Sequence, residues 1–137
     1  MHFEIEDIFK LDADEQKCKI ATCYYHEESR SISDLALLHN GWMLITRINV
    51  PVKSRGTGLG TRILNEVLRD ADRFGVTLCL EPMPSGGMTF KSLRDWYERN
   101  GFVSINPHMM VRIPRTDRTL GELSNVDREI KRTKNYV

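Results

Sequence analysis

The chain reads as an α/β domain, a mixed central sheet flanked by helices, with an added helix at the C-terminus. Three observations predict this. Its 137 residues suit a single domain with one real core. With 28% charged and 40% hydrophobic residues, the composition is that of a folded chain and not a disordered one. The first half consists of short β-forming runs between turn residues, and the second half alternates helical with strand periodicity.

Taken in order, Phe3, Ile5 and Ile8-Phe9 suggest a short opening strand, closed by the polar stretch Asp12 to Gln16. Cys18 to Tyr25 is rich in β-formers and predicts a second strand. Ile32 to Leu38 predicts a third, and Asn40-Gly41 after it supplies the pair favoured in tight hairpin turns. Trp42 to Val50 returns as the most apolar strand of the chain. Leu59, Ile63, Leu64, Val67, Leu68, Ala71 and Phe74 then recur at helical spacing, with Gly75 where a C-cap glycine belongs. Val76 to Leu80 is short and nearly all apolar, as a buried strand should be. Pro82 to Gly87 is a loop. Leu93, Trp96 and Tyr97 mark one face of a second helix ending at Asn100-Gly101, and Phe102–Ile105 and Met109–Ile113 close the sheet. Residues 115–137 are set apart from the 1–114 domain. There Leu120, Leu123, Val126 and Ile130 form a narrow helical stripe, as in a seam against another helix or a second subunit of a homodimer.

Composition excludes several functions. A net charge of +1 argues against a general polyanion binder, so nucleic acid is not the expected partner. No apolar run is long enough to span a bilayer, and the acidic start Met1 to Asp7 has no signal-peptide core, so no membrane partner is expected. Cys18, Cys23 and Cys79 are odd in number and lack CxxC spacing. That suits reduced thiols in a cytoplasmic protein and gives no metal site.

The chemistry concentrates at Arg55-Gly56-Thr57-Gly58-Leu59-Gly60, between the apolar strand and the long helix. Glycines there let the backbone approach a ligand closely, and the helix start adds unpaired N–H donors and a positive dipole end. Strand, glycine turn and helix N-terminus together make a phosphate cradle, with Arg55 as a cation beside it. Gly60 is followed by Thr61-Arg62, not Lys-Ser/Thr, so a Walker loop fails, and GxGxG misses the dinucleotide spacing. Read alone, the turn could also simply reverse the chain.

A second element follows at Leu93-Arg94-Asp95-Trp96-Tyr97-Glu98-Arg99-Asn100-Gly101-Phe102. Ile48-x-Val50, the Arg-Gly-x-Gly-x-Gly turn and Trp96-Tyr97-x-x-x-Gly101-Phe102 together resemble the GCN5-related N-acetyltransferase (GNAT) superfamily over about residues 42 to 113. The resemblance implies a GNAT-like sheet with acetyl-coenzyme A lying between two splayed strands. Backbone groups at Ile48 and Val50 would hold its acetyl and pantetheine end. The amides of Arg55, Gly56, Thr57, Gly58, Leu59, Gly60 and Thr61 would cradle its pyrophosphate. Tyr97 would be the general acid that protonates the leaving thiolate, and an ordinary tyrosine pKa of about 10 keeps it protonated at neutral pH. Without the resemblance, Tyr97 reads as a core aromatic beside Leu93 and Trp96.

Three departures mark this chain. Phe90 stands where the family often has Asn, the loop Glu81 to Thr89 is longer than usual, and Lys10 to Lys17 is too short for the family's first two helices. A lysine acceptor must lose a proton at a cost of roughly 4–5 kcal/mol at pH 7. Glu81 is the first candidate base and His108 the second. The short N-terminal region implies an open groove, which suits an amine on a protein better than a small free amine. The function expected is therefore acetyl-coenzyme A-dependent N-acetyl transfer to a primary amine of a protein. A non-catalytic acyl-coenzyme A-binding or partner-binding module on the same fold is the alternative.

Overall fold

The computed structural model describes residues 10–84 and 87–134. Its strands are β1 Cys23–His26, β2 Ser31–Leu37, β3 Met43–Asn49, β4 Leu78–Leu80, β5 Val103–Asn106, β6 Met109–Arg112 and β7 Ile130–Thr133. They form one mixed sheet in the order β5-β6-β4-β3-β2-β1-β7. The opening strand expected around Phe3, Ile5, Ile8 and Phe9 lies outside the described residues. The strand expected over Cys18–Tyr25 begins only at Cys23. Cys18, Ile20 and Ala21 are buried ahead of it as irregular chain.

The hairpin between β2 and β3 forms at Asn40-Gly41. Gly41 takes φ +89°, and the Asn40 side chain accepts the Trp42 N–H at 3.0 Å. Such a φ is open to glycine and costly for other residues. Along β2, Ser31, Ser33, Leu35 and Leu37 turn inward while the residues between them are half-exposed. That is the period-2 pattern of a strand with one buried face.

Helix α1, Leu59–Phe74, lays Ile63, Leu64, Val67, Leu68 and Ala71 on the sheet, all at most 3% exposed. Burying each of the larger ones contributes about 1.5–3 kcal/mol before entropy is counted. Gly75 ends the helix at φ +70°, and its N–H bonds the Ala71 carbonyl. Helix α2, Phe90–Arg99, is capped by Thr89, whose side chain accepts the Ser92 N–H at 3.1 Å. Leu93 and Tyr97 of α2 join the same core as α1, so both helices pack on one face of the sheet. Cys79, between Leu78 and Leu80, faces the other side with Leu38 and Val111.

The C-terminal helix, α3, is present but short, covering only Leu120–Ser124. Thr119 and Glu122 make a capping box at its start, and Asn125 ends it. Val126 and Ile130, assigned to the same helical stripe, lie beyond it, and Leu120 is 85% exposed. The helical seam is therefore corrected: Gly121 and Asn125 weaken a longer helix, and Ile130 is buried instead as a strand residue of β7. β7 pairs antiparallel with β1, His26 opposite Ile130 and Tyr24 opposite Arg132.

Charge holds this last segment to α1. Arg62 bonds both Asp127 oxygens at 2.7 and 3.1 Å and reaches Glu129 at 3.3 Å. Glu66 accepts from Arg132 and the Asp127 N–H, and Arg69 pairs with Glu66. Asp70 accepts from Arg132 at 2.5 Å and from the Tyr24 hydroxyl at 2.6 Å. Deeper in, Arg112 makes two bonds to Asp72 at 2.7 and 3.0 Å, and both side chains are at most 2% exposed. Its Nε also donates to the Asn100 carbonyl at 2.9 Å, tying α1, β6 and the end of α2 together.

Candidate active site

The site originates in a parting of two strands. β3 and β4 run parallel but pair only at Met43–Leu78 and Leu44–Cys79. Past that point β3 continues to Asn49 while β4 ends at Leu80. A bulge bends β3 at the same place: Asp34 and Leu35 of β2 face Arg47 and Ile45, and Thr46 is the extra residue. The Thr46 hydroxyl holds the bulge by donating to the Asp34 carbonyl at 3.0 Å. Bulges of this kind bend a strand and raise its twist. The gap so formed is a cavity of about 520 Å³, with Ile45 to Val50 on one side and Leu80, Glu81 and α2 on the other.

The glycine turn closes one end of this cavity. Gly56 and Gly58 take φ +79° and +81°, and a Cβ added to either would meet no protein atom within 4 Å. The turn is braced from within by the Thr57 hydroxyl donating to the Ser54 carbonyl at 2.5 Å. Arg55 Nε ties it back to the end of β3 by bonding the Val50 carbonyl at 3.0 Å. Gly58 is the N-cap of α1 and offers no side chain to cap it. Among the described residues, no amide from Gly56 to Thr61 donates to a carbonyl or a side chain; the first to do so is Arg62, to Gly58 at 3.0 Å. A helix start with a full turn of unpaired donors is suited by its charge and geometry to an anion. At Gly60 an added Cβ would meet only Val50 Cγ2 at an ordinary contact distance of 3.6 Å, so the protein's own packing does not demand glycine there.

Tyr97 stands on the α2 side of the cavity. Its ring packs edge-on to Phe102 at 5.4 Å and against Trp96 at 4.9 Å. Its hydroxyl bonds to no described residue. Burial pushes its pKa up to about 12, so the hydroxyl keeps its proton at any physiological pH.

The structure thus brings Ile48, Val50, Arg55, Gly56, Gly58, Leu59, Gly60 and Thr61 into one cavity wall, together with Tyr97 and Glu81. Thr57 sits in the turn but does not line the cavity. His108 lies exposed in the β5–β6 turn, away from it, which removes the second candidate base. His26 is buried at the end of β1 between Ser29 and Glu129, outside this cavity. Sequence reading missed Arg47, Asn49, Met83, Met88 and Arg99 on the cavity wall. Arg99, three residues after Trp96, could have been found from helical spacing. Among the described residues, no three His, Cys, Asp or Glu side chains gather as a metal site would need, and no helix is long and apolar enough to cross a membrane.

No protein-family model matches the chain, and no curated protein sequence matches it. Solved structures do. The anti-CRISPR protein AcrVA5, a GNAT acetyltransferase, aligns with a TM-score of 0.50 at 16% identity, over 59% of this chain and 87% of that one. A KacTA–DNA complex aligns at TM-score 0.42 and 17% identity, over 61% of this chain and 56% of that one. AtaTR bound with AcCoA aligns at 0.42 and 13%, over 61% and 55%. By its strand order, its parted central strands and its likeness to AcrVA5, the chain has a GNAT-like α/β fold.

Proposed function

We propose that the protein is an acetyl-coenzyme A-dependent N-acetyltransferase whose acceptor is a primary amine on a protein. The observation that carries this reading is the row of unpaired amides from Gly56 to Thr61, opening onto the same cavity as the unbonded Tyr97 hydroxyl. The coenzyme fits the residues present. Gly56 and Gly58 leave open space where its diphosphate would sit, the helix end and Arg55 would offset its charge, and the parted strands would take the pantetheine arm.

The chain's own residues have distinct tasks in this reading. Acetyl-coenzyme A, when bound, would supply the activated thioester, and coenzyme A would leave as the thiol. Backbone groups of Ile48 and the N–H of Val50, whose carbonyl Arg55 already engages, would orient its arm. Tyr97 holds a proton in a largely dry site and donates it as the thiolate departs. Glu81, on the cavity wall and exposed, accepts the proton of the incoming ammonium directly or through water. Ahead of β1 the described residues hold one 3₁₀ turn, Glu15–Lys17, and no helix to enclose a small amine. This supports an acceptor that brings its own binding surface, in the cytoplasm where the coenzyme and reduced thiols coexist. A non-catalytic coenzyme module would have no need of a free tyrosine hydroxyl here.

The test is incubation with labelled acetyl-coenzyme A and cell lysate, with release of free thiol followed in parallel. Labelled protein together with thiol release is expected. Saturable acetylation of a free polyamine or amino acid with no labelled protein would overturn the acceptor assignment. Tight coenzyme binding without any transfer would replace the enzyme by the binding module.

A further inference from the structure

Three arginines line the cavity, and two are already engaged. Arg47 is paired with Asp34 at 2.5 Å, and Arg55 bonds the Val50 carbonyl. Arg99, in the last turn of α2, has no hydrogen bond or ion pair with any described residue. Lys53 and Arg128 are likewise without an ion pair, but neither lines this cavity. Glu81 is the one acidic side chain among the described lining residues, so the wall carries an excess of positive charge.

We propose that Arg99 binds a phosphate group of the coenzyme from the α2 wall, across the gap from the glycine turn. The proposal rests on the coenzyme A reading above and adds a recognition residue to it. Coenzyme A carries two separate anionic groups, a diphosphate and a 3′-phosphate on its ribose. The amides from Gly56 to Thr61 form one cradle, with Arg55 as the side-chain cation beside it. A planar guanidinium with all its donors free is matched to phosphate geometry. The acceptor's ammonium group would be repelled by Arg99, so the anionic groups of the coenzyme are the partners its charge favours.

Calorimetric titration of coenzyme A, 3′-dephospho-coenzyme A and pantetheine tests this on the wild type, Arg99→Ala and Arg99→Lys. Arg99 is exposed and unbonded, so both variants should melt at the wild-type temperature. Arg99→Ala should bind coenzyme A about tenfold more weakly, the value of one charge-assisted hydrogen bond at a part-solvated site. It should leave pantetheine unaffected, and Arg99→Lys should recover much of the loss. Loss for coenzyme A alone identifies the 3′-phosphate, and equal loss for the dephospho form identifies the diphosphate; either supports the proposal. Unchanged coenzyme affinity in Arg99→Ala would overturn it, as would an equal loss for pantetheine. A raised KM for the acceptor with unchanged coenzyme affinity would instead move Arg99 to the acceptor side. If the wild type binds none of the three ligands, the coenzyme reading itself fails.

Discussion

Replacing Tyr97 by Phe separates a chemical role from a packing role because of how this residue is held. The ring is buried on Phe102 and Trp96, while the hydroxyl bonds to no described residue. Phe keeps every ring contact, so folding stability should change by no more than about 0.5 kcal/mol. Coenzyme affinity should stay within about twofold. Turnover should fall by about a hundredfold or more, the usual worth of a general acid, which is about 2.7 kcal/mol of barrier. Thiol release at saturating coenzyme measures kcat, and calorimetry measures binding. With its pKa at about 12, Tyr97 is protonated from pH 6 to 10, so the ratio of wild-type to variant rates should be flat across that range. Stability adds an independent check. A tyrosine whose pKa is raised on folding contributes stability that is complete below about pH 10 and lost as pH rises toward 12. The Phe variant should therefore resist alkaline unfolding better than the wild type. A kcat within threefold of wild type would refute the general-acid assignment and return Tyr97 to the core.

Other perturbations have equally definite outcomes. Gly58→Ala should cost about 1–2 kcal/mol through its φ of +81° and weaken coenzyme binding more than tenfold; unchanged calorimetric affinity would count against the phosphate cradle. Asp72→Ala strands the buried Arg112 guanidinium and should cost about 3–5 kcal/mol in urea unfolding, whereas a loss below 1 kcal/mol would mean that the pair is not a keystone. Burial pushes the Asp72 carboxyl up, but its bonds to Arg112 and the Arg115 N–H hold it below the usual carboxylate range. Its stabilisation is thus present above about pH 4 and lost as pH falls through the lowered pKa, so wild type should be more acid-sensitive in melting than an Asp72→Asn, Arg112→Met pair. Deleting residues 127–137 removes β7 and the partners of Arg62 and Glu66; a cooperative, fully stable fold after that deletion would show the segment to be dispensable.

What could be read from the chain before its structure follows a physical line. The α1 helix was legible to the residue because its apolar positions repeat at one period and Gly75 marks its end. The glycine turn was legible as a local pattern, whereas Tyr97 stood out only through the family resemblance, since its neighbours Leu93 and Trp96 alone make it a core aromatic. β7 was not legible. Only Ile130 of its inward residues is apolar; the other, Arg132, faces inward because Glu66 and Asp70 of α1 wait for it. A strand whose buried face is half ionic has no hydrophobic alternation to find, and the three- and four-residue spacing of Leu120, Leu123, Val126 and Ile130 imitated a helix instead. Asp72 and Arg112 were hidden for the same reason: they lie 40 residues apart and meet only through the fold. Arg99 was passed over because an arginine at a helix end is usually a dipole partner.

The place of β7 in the sheet sets the timing of folding. β1 closes onto β2 through a short hairpin but meets β7 only after the rest of the domain has been made. The loop from His26 to Ile130 is about twenty times longer than that from His26 to Ser31, which adds about 3 kcal/mol of closure entropy. During synthesis, β1 therefore emerges with one edge unpaired and keeps it unpaired until β7, about a hundred residues later, has been made. Until then Glu66 also lacks Arg132, and the growing chain carries an open strand edge of the kind that recruits other chains. A product stopped before β7 would keep that edge open and be a substrate for chaperones and proteases.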